Sequence, residues 1–285
     1  MSEAVLYETR GPAAWITLNR PEKLNAINKA VLAGVHEAID RATADDEVKV
    51  VVVTGAGRAF SAGYDLAGGT GPMESPYVNE MTGRPDIGSS RPGPYEWAAH
   101  VTDFNWVLWN LYKPIIAQVH GYCLAGGTEL ATACDLVYVA HDAQIGYPPV
   151  RSMSSPDMAW HVWLMGLRRA MEAMLTGDSM TGDEAVEAGF ANRAFDATEL
   201  DERVLEIAQR VAKVSPDLQA LNKRVVHRAM EAMGMRDGMR ATTDINALGF
   251  HQRASREYFA RLRESVTTAL DERDGTFGDY RTAER

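Results

Sequence analysis

The stretch Ile115-Ile-Ala-Gln-Val119, followed by His120-Gly-Tyr-Cys-Leu-Ala-Gly126-Gly127-Thr-Glu129-Leu130, decides how the chain folds. Ile115–Val119 is a nearly continuous apolar run, the pattern of a strand covered on both faces in a mainly parallel sheet. Gly121 and Gly126-Gly127 break the chain, and Thr128–Cys134 is predicted helical. Asp135–Ala140 then reads as another buried strand. Gly126 falls where the helix begins, so its N–H is among the donors that a helix leaves unpaired. A second turn of similar build, Gly57-Arg-Ala-Phe-Ser-Ala-Gly63-Tyr-Asp65-Leu66, follows the apolar run Val48–Thr54. One amide from each turn, aimed at a single oxygen, would make an oxyanion hole. Glycine turns also serve as plain punctuation between strand and helix, and spacing alone leaves both readings open.

Outward from these turns, residues 3–9 and 13–18 alternate around Gly11-Pro12 and predict a hairpin. Ile27 to Ala42 carries Ile27, Val31, Val35 and Ile39 at helical spacing. Residues 67–96 hold six glycines and five prolines and no periodicity, which predicts an irregular insertion loop, either a lid or a tolerated surface excursion. Helix is expected over 97–112, stopped by Pro114, and again from Pro156 to Leu175, with Trp160, Trp163, Leu164 and Leu167 on one face. Thr181 with Glu184 forms a capping box for a short helix to Ala188. Leu200–Val214 and the helix opened by Ser215-Pro216 begin a helical run to about residue 272. The expectation is an α/β core over 1–200, with 67–96 inserted, and a helical region over 201–285.

Composition narrows the function. The chain has 285 residues and a formal charge of −10, with 29 basic and 39 acidic side chains. That balance disfavours a broad nucleic-acid surface. Cys123 and Cys134 are too few for a disulfide framework, and no Cys/His cluster has zinc spacing. No apolar run approaches the ~18 residues of a membrane span. The start, MSEAVLYETR, has neither the basic nor the apolar part of a signal peptide. A reducing, cytoplasmic setting is therefore expected. Gly55-Ala-Gly57 lacks the third glycine of a dinucleotide turn, because Phe60 stands there, and neither a phosphate-loop lysine nor a GxSxG elbow is present. The basic segment Leu221–Arg228 reads as the solvated face of a helix.

The order Asn19-Arg-Pro21, Asn25-Ala26, Gly57 through Leu66, then Gly121 through Glu129 and Cys134-Asp135 resembles the enoyl-CoA hydratase/isomerase (crotonase) superfamily over roughly residues 3–200. The resemblance implies a core of repeated ββα units with a helical C-terminal trimerisation region, and homotrimers or hexamers. It implies an acyl-CoA thioester substrate of the kind met in fatty acid metabolism, whose oxygen lies between the backbone amides of Tyr64 and Gly126. CoA contacts would come from Lys23, Ala26, Arg58, Ser61, Ala62, Tyr64, Asp65, Leu66 and Gly126. Phe277 is a candidate for the C-terminal aromatic that covers CoA in relatives. No metal or separate cofactor is implied, CoA entering as part of the substrate.

Glu129 matches the family's acid/base glutamate, and it stands one helical turn beyond Gly126. The family's second glutamate falls in Gly146-Tyr-Pro148-Pro149-Val, where this chain has Pro149, a residue unable to give or take a proton. Asp157, expected at the head of a helix, matches a catalytic aspartate of dienoyl-CoA isomerases and of a dehalogenase; it also suits a helix cap. Met153, Met158, Trp160, Trp163 and Met165 read as core packing or as the lining of an acyl pocket. His120 and His141 read as structural. The function so implied is an enoyl-CoA hydratase. Its alternatives are an enoyl- or dienoyl-CoA isomerase, a dehalogenase or hydrolase with Asp157 as nucleophile, and a CoA-binding protein without turnover.

Overall fold

A computed structural model describes residues 3–66, 78–79, 84–85, 104–153 and 155–280. Strands β1 (Val5–Arg10) and β2 (Ala13–Leu18) pair antiparallel, as the alternation around Gly11 predicts. From β2 onward the main sheet is parallel, running β1-β2-β3-β7-β9-β11, with β3 (Val50–Gly55), β7 (Ile115–Val119), β9 (Leu136–Ala140) and β11 (Arg193–Phe195). Its central strands are apolar on both faces because both are covered: Val50 to Val53, Ile115 and Ile116 are all fully buried. Each such valine contributes roughly 1.5 kcal/mol or more on leaving water.

Each central strand is followed by a three-residue strand of a second, small sheet. β3 leads to β4 (Ala59–Ser61), β7 to β8 (Tyr122–Leu124), and β9 to β10 (Gln144–Gly146), in the order β10-β8-β4. This is the repeated ββα build. Strands of three residues are too short for alternation to show, which is why β4, β8, β10 and β11 escape a sequence reading. Two two-residue strands, β5 (Val78–Asn79) and β6 (Arg84–Pro85), pair within the expected 67–96 loop, the rest of which lies outside the described residues.

Helix α1 (Lys29–Ala44) is capped by Asn28, whose side chain accepts from Val31 N, and packs on β1 and β2. Helix α2 spans 104–110, and 97–103 of the expected helix lie outside the description. Helix α3 (Gly126–Thr132) starts at the second glycine turn. Helix α4 (His161–Thr176) begins five residues later than expected and is interrupted at Gly166 (φ 71°, ψ 170°). The break rotates the apolar stripe, so Trp160 is buried while Leu167 is 61% exposed. Helix α5 (Gly182–Ala188) has the complete capping box of Thr181 and Glu184. Helix α6 (Leu200–Val211) buries Leu200, Val204 and Ala208 against β2, β3, β7 and β9. Helices α7 (Pro216–Ala232), α8 (Met235–Phe250), α9 (Arg253–Glu264) and α10 (Val266–Gly275) follow. Phe250, Tyr258, Phe259, Leu262 and Ala269 form a second core there, against which Leu66 and Met153 pack.

Candidate active site

The first glycine turn is built on Asn25. Its side-chain amide donates to Ala56 O (2.8 Å) and Ala59 O (2.7 Å), and its Oδ1 accepts from Arg20 N (2.9 Å). Ser61 Oγ donates to Asn25 O and accepts from Gly63 N, so the buried serine hydroxyl is occupied in shaping the turn. Gly63 has φ 91°, and a Cβ there would lie 2.8 Å from both Ala125 Cβ and Leu124 O and 3.0 Å from Gly126 N. The two glycine turns therefore touch at Gly63, which brings the Tyr64 backbone beside the start of α3. Ala125, at φ 50° and ψ −122°, is the strained corner that turns β8 into the helix. His120 Nε2 bonds Gly57 O at 2.9 Å and ties the turns together at their outer end.

One turn into α3, Glu129 is fully buried. Its Oε2 accepts from the Tyr64 hydroxyl at 2.8 Å; its Oε1 accepts from the Tyr147 hydroxyl and from Met158 N, both at 3.2 Å. Burial raises its carboxyl from 4.5 to about 7, against the lowering effect of these donors. Both phenols are pushed well above their usual range by burial and by the Glu129 charge, so they remain neutral donors.

Asp157 is not at a helix head. It lies in an irregular stretch before α4, whose N-cap is Trp160, so the helix-cap reading is replaced by that of a buried carboxyl. Burial, then the Glu129 charge, push its titration well upward. Its Oδ1 finds no hydrogen-bond partner among the described residues. The backbone around it is fastened by the C-terminal helices: Thr242 Oγ1 donates to Asp157 O (3.1 Å), Asn246 Nδ2 to Ser155 O (2.6 Å), and Ser255 Oγ to Met153 O. Trp160 donates its indole N–H to Thr128 Oγ1 (3.1 Å) and stacks on His161 at 3.7 Å. His161 is buried, held neutral with a value of about 3, and edge-on to Tyr147. Pro149 sits in a 3₁₀ turn, Pro148–Arg151.

The other candidate residues line up around the first turn. Asp65 pairs with Arg20 at 2.8 Å, and Arg20 also donates to Ala26 O at 2.7 Å, so one guanidinium joins two of the expected CoA segments. Lys23 and Arg58 are exposed, while Ala26, Ala62 and Leu66 are half-buried. Phe277 lies under the Arg151 guanidinium at 3.8 Å, away from this cluster in sequence and bound to its own chain. Met158 and Trp160 are core residues, and Trp163 and Met165 pack against that core. His141 pairs with Asp183 at 2.7 Å, a carboxylate partner that sequence distance conceals. Tyr147, Arg20 and His161 are the site residues missed in the sequence. Tyr147 stood two positions before the conspicuous Pro149, the one signal that pointed to it.

The model of the enoyl-CoA hydratase/isomerase family matches residues 13–276. EchA13 of Mycobacterium tuberculosis, an enoyl-CoA hydratase by name, is 36% identical over 244 residues, 81% of this chain and 76% of that protein. The short-chain-enoyl-CoA hydratase of Clostridium acetobutylicum is 29% identical, covering 94% of this chain and 95% of that protein. A solved enoyl-CoA hydratase/isomerase from Xanthobacter autotrophicus Py2 superposes with a TM-score of 0.84 at 33% identity, over 97% of this chain and 99% of that one. The chain belongs to the enoyl-CoA hydratase/isomerase family, within the crotonase superfamily of enzymes.

Proposed function

We propose that the protein hydrates a 2-enoyl-CoA thioester reversibly, with Glu129 and Asp157 as its acid/base pair. The observation that carries this is a buried Glu129 that accepts from Met158 N, the chain neighbour of a buried Asp157 on which its charge acts and whose Oδ1 has no partner among the described residues. The amides of Tyr64 and Gly126 hold the thioester oxygen. Glu129 as carboxylate takes a proton from water, the hydroxyl adds to the β-carbon, and the enolate charge passes to the held oxygen. Asp157, kept protonated, delivers a proton to the α-carbon. A proton passed back from Glu129 to Asp157 closes the cycle, so the net change is the addition of one water. The Tyr64 and Tyr147 hydroxyls and Met158 N donate to Glu129, so the water meets a carboxylate already held in place.

Isomerisation is the second reading. It uses the same pair to move a proton between carbons, and is favoured by Pro149, which removes the usual second base. A protonated Asp157 is a poor nucleophile, which counts against displacement chemistry. CoA would lie along Ala26, Ser61, Ala62, Asp65 and Leu66, with Lys23 and Arg58 facing its phosphates. Exposed apolar stripes on α7 (Leu218, Leu221, Val225), α8 (Ile245, Leu248) and α4 (Leu167, Met171, Leu175) support a homotrimer or hexamer, to be tested by light scattering.

Mass spectrometry of 2-enoyl-, 3-enoyl- and dienoyl-CoA incubated in heavy water tests the reaction. Gain of one water, lost in Glu129→Gln and in Asp157→Asn, is expected. Deuterium uptake or double-bond migration without added water would make the protein an isomerase. No change on any thioester would overturn both.

A further inference from the structure

We propose that Tyr64 is the positioning residue for Glu129 and that its ring sets the girth of the acyl site beside the oxyanion amides. The girth half rests on the functional reading above; the hold on Glu129 does not. The ring lies against Gly126: a Cβ at that glycine would stand 2.5 Å from Tyr64 Cε2, 2.6 Å from Cζ and 2.8 Å from Cδ2. Its hydroxyl reaches Glu129 Oε2 at 2.8 Å. The ring thus spans the interval from the helix-start amide to the carboxylate one turn on. An acyl group held at Gly126 N–H with its β-carbon near Glu129 runs along that same interval. Bulk on its α-carbon meets the ring first.

The hydrogen-bond geometry makes Tyr64 the group that orients the carboxylate. Oε1 is shared by Tyr147 and Met158 N at 3.2 Å, whereas Oε2 takes the shorter bond from Tyr64. The groups facing Glu129 are Tyr64 from the loop after β4, Tyr147 after β10, and Asp157 and Met158 from the stretch before α4. Neutral His161 stands behind Tyr147, ring centres 6.1 Å apart. Removing the Tyr64 donor takes away the leading hydrogen bond that opposes burial, leaving those from Tyr147, Met158 N and the Asp157 backbone, so Glu129 should hold its proton to higher pH.

Two variants separate the roles. Tyr64→Phe keeps the ring and removes the donor; Tyr64→Ala removes both. The Glu129 carboxyl stretch is followed by infrared difference spectroscopy across pH 5–9, assigned by its loss in Glu129→Gln. In Tyr64→Phe its midpoint should move up by roughly half a unit or more. In turnover, kcat should fall about tenfold, with KM within about threefold and the acid limb displaced in the same direction. Calorimetric binding of butanoyl-CoA and 2-methylbutanoyl-CoA then reads girth. Tyr64→Ala should shift the affinity ratio toward the branched thioester by about tenfold, while Tyr64→Phe leaves it unchanged. An unmoved Glu129 midpoint in Tyr64→Phe overturns the positioning role, and an unchanged ratio in Tyr64→Ala overturns the girth role. Should the wild type turn over no enoyl-CoA, the functional reading fails, while the infrared titration and the binding ratio still decide Tyr64.

Discussion

The two walls of the site differ in how completely their polar atoms are satisfied. On the wall made by the glycine turns, Asn25, Ser61 and Gly63 are joined by hydrogen bonds, and the Tyr64 hydroxyl donates to Glu129. On the wall made by residues 155–161, Ser155 Oγ, Asp157 Oδ1 and His161 Nδ1 are buried with no partner among the described residues. A buried unpaired polar atom costs about 1–3 kcal/mol, so such atoms gather where substrate or water completes them. On the function proposed above, the first wall would hold the oxyanion and the second would carry the acid that meets the reacting carbon. The residues that carry the resemblance to the family lie on the first wall, whereas Pro149 and the buried, unpaired Asp157 Oδ1 belong to the second.

The largest effects are expected at Glu129. Glu129→Gln should lower kcat about a thousandfold, read by steady-state kinetics. It should also raise stability. The folded carboxyl titrates near 7 against 4.5 unfolded, so its favourable contribution is full below pH 4.5 and lost as pH rises through 7. Denaturant melts should therefore show the variant more stable than wild type by about 3 kcal/mol at pH 8, with the gap closing near pH 4.5. An equal gap at both pH values would contradict a buried, proton-holding Glu129.

Asp157→Asn should cost about a hundredfold in kcat and remove the alkaline limb of the rate profile, because its raised titration makes Asp157 the group that must stay protonated. Survival of that limb would move the acid elsewhere. On the first wall, Gly63→Ala should destabilise the fold by about 2 kcal/mol or more, since it combines φ 91° with a 2.8 Å approach to Leu124 O. Gly126→Ala should be damaging in the wild type and much less so beside Tyr64→Ala, a non-additivity that thermal melts would show.

Smaller effects sharpen the contrast. Thr242→Val removes a hydroxyl shared between Met239 O (2.6 Å) and the Asp157 carbonyl (3.1 Å) and should lower kcat a few-fold, with KM little changed. Thr181→Ala breaks the α5 capping box and should cost about 1 kcal/mol of stability with kcat unaltered, as a change remote from both walls. A kcat loss there would show that the second wall depends on more than its fastening by α8 and α9.

Much of the framework was legible because burial writes itself into short apolar runs. Val50–Val53, Ile115–Val119 and Val137–Ala140 are covered on both faces, and their sequence admits little else. The glycine turns were legible because only glycine allows Gly63 to approach Leu124 and Ala125. Glu129 was singled out by the resemblance, with its place one helical turn beyond Gly126 in support. Asp157 was singled out by resemblance, but its setting was misjudged: Pro156 suggested a helix start, whereas the helix begins at His161. Arg20 stood within Asn19-Arg-Pro21 with no role assigned to it, and only the fold placed Ala26 and Asp65 beside it.

By itself the sequence determined a parallel, doubly covered sheet, two glycine turns and the carboxylate one turn beyond the second. These depend on local spacing and on the solvent, which a single stretch of chain encodes. Only the tertiary structure decided that Tyr64 and Tyr147 both donate to Glu129, that Asp157 is buried and proton-holding, and that Thr242, Asn246 and Ser255, some 85 to 102 residues away, fasten its backbone. Those outcomes depend on which groups meet when the α/β core and the C-terminal helices close on each other. Burial and proximity of that kind belong to the packed chain, and no local pattern carries them.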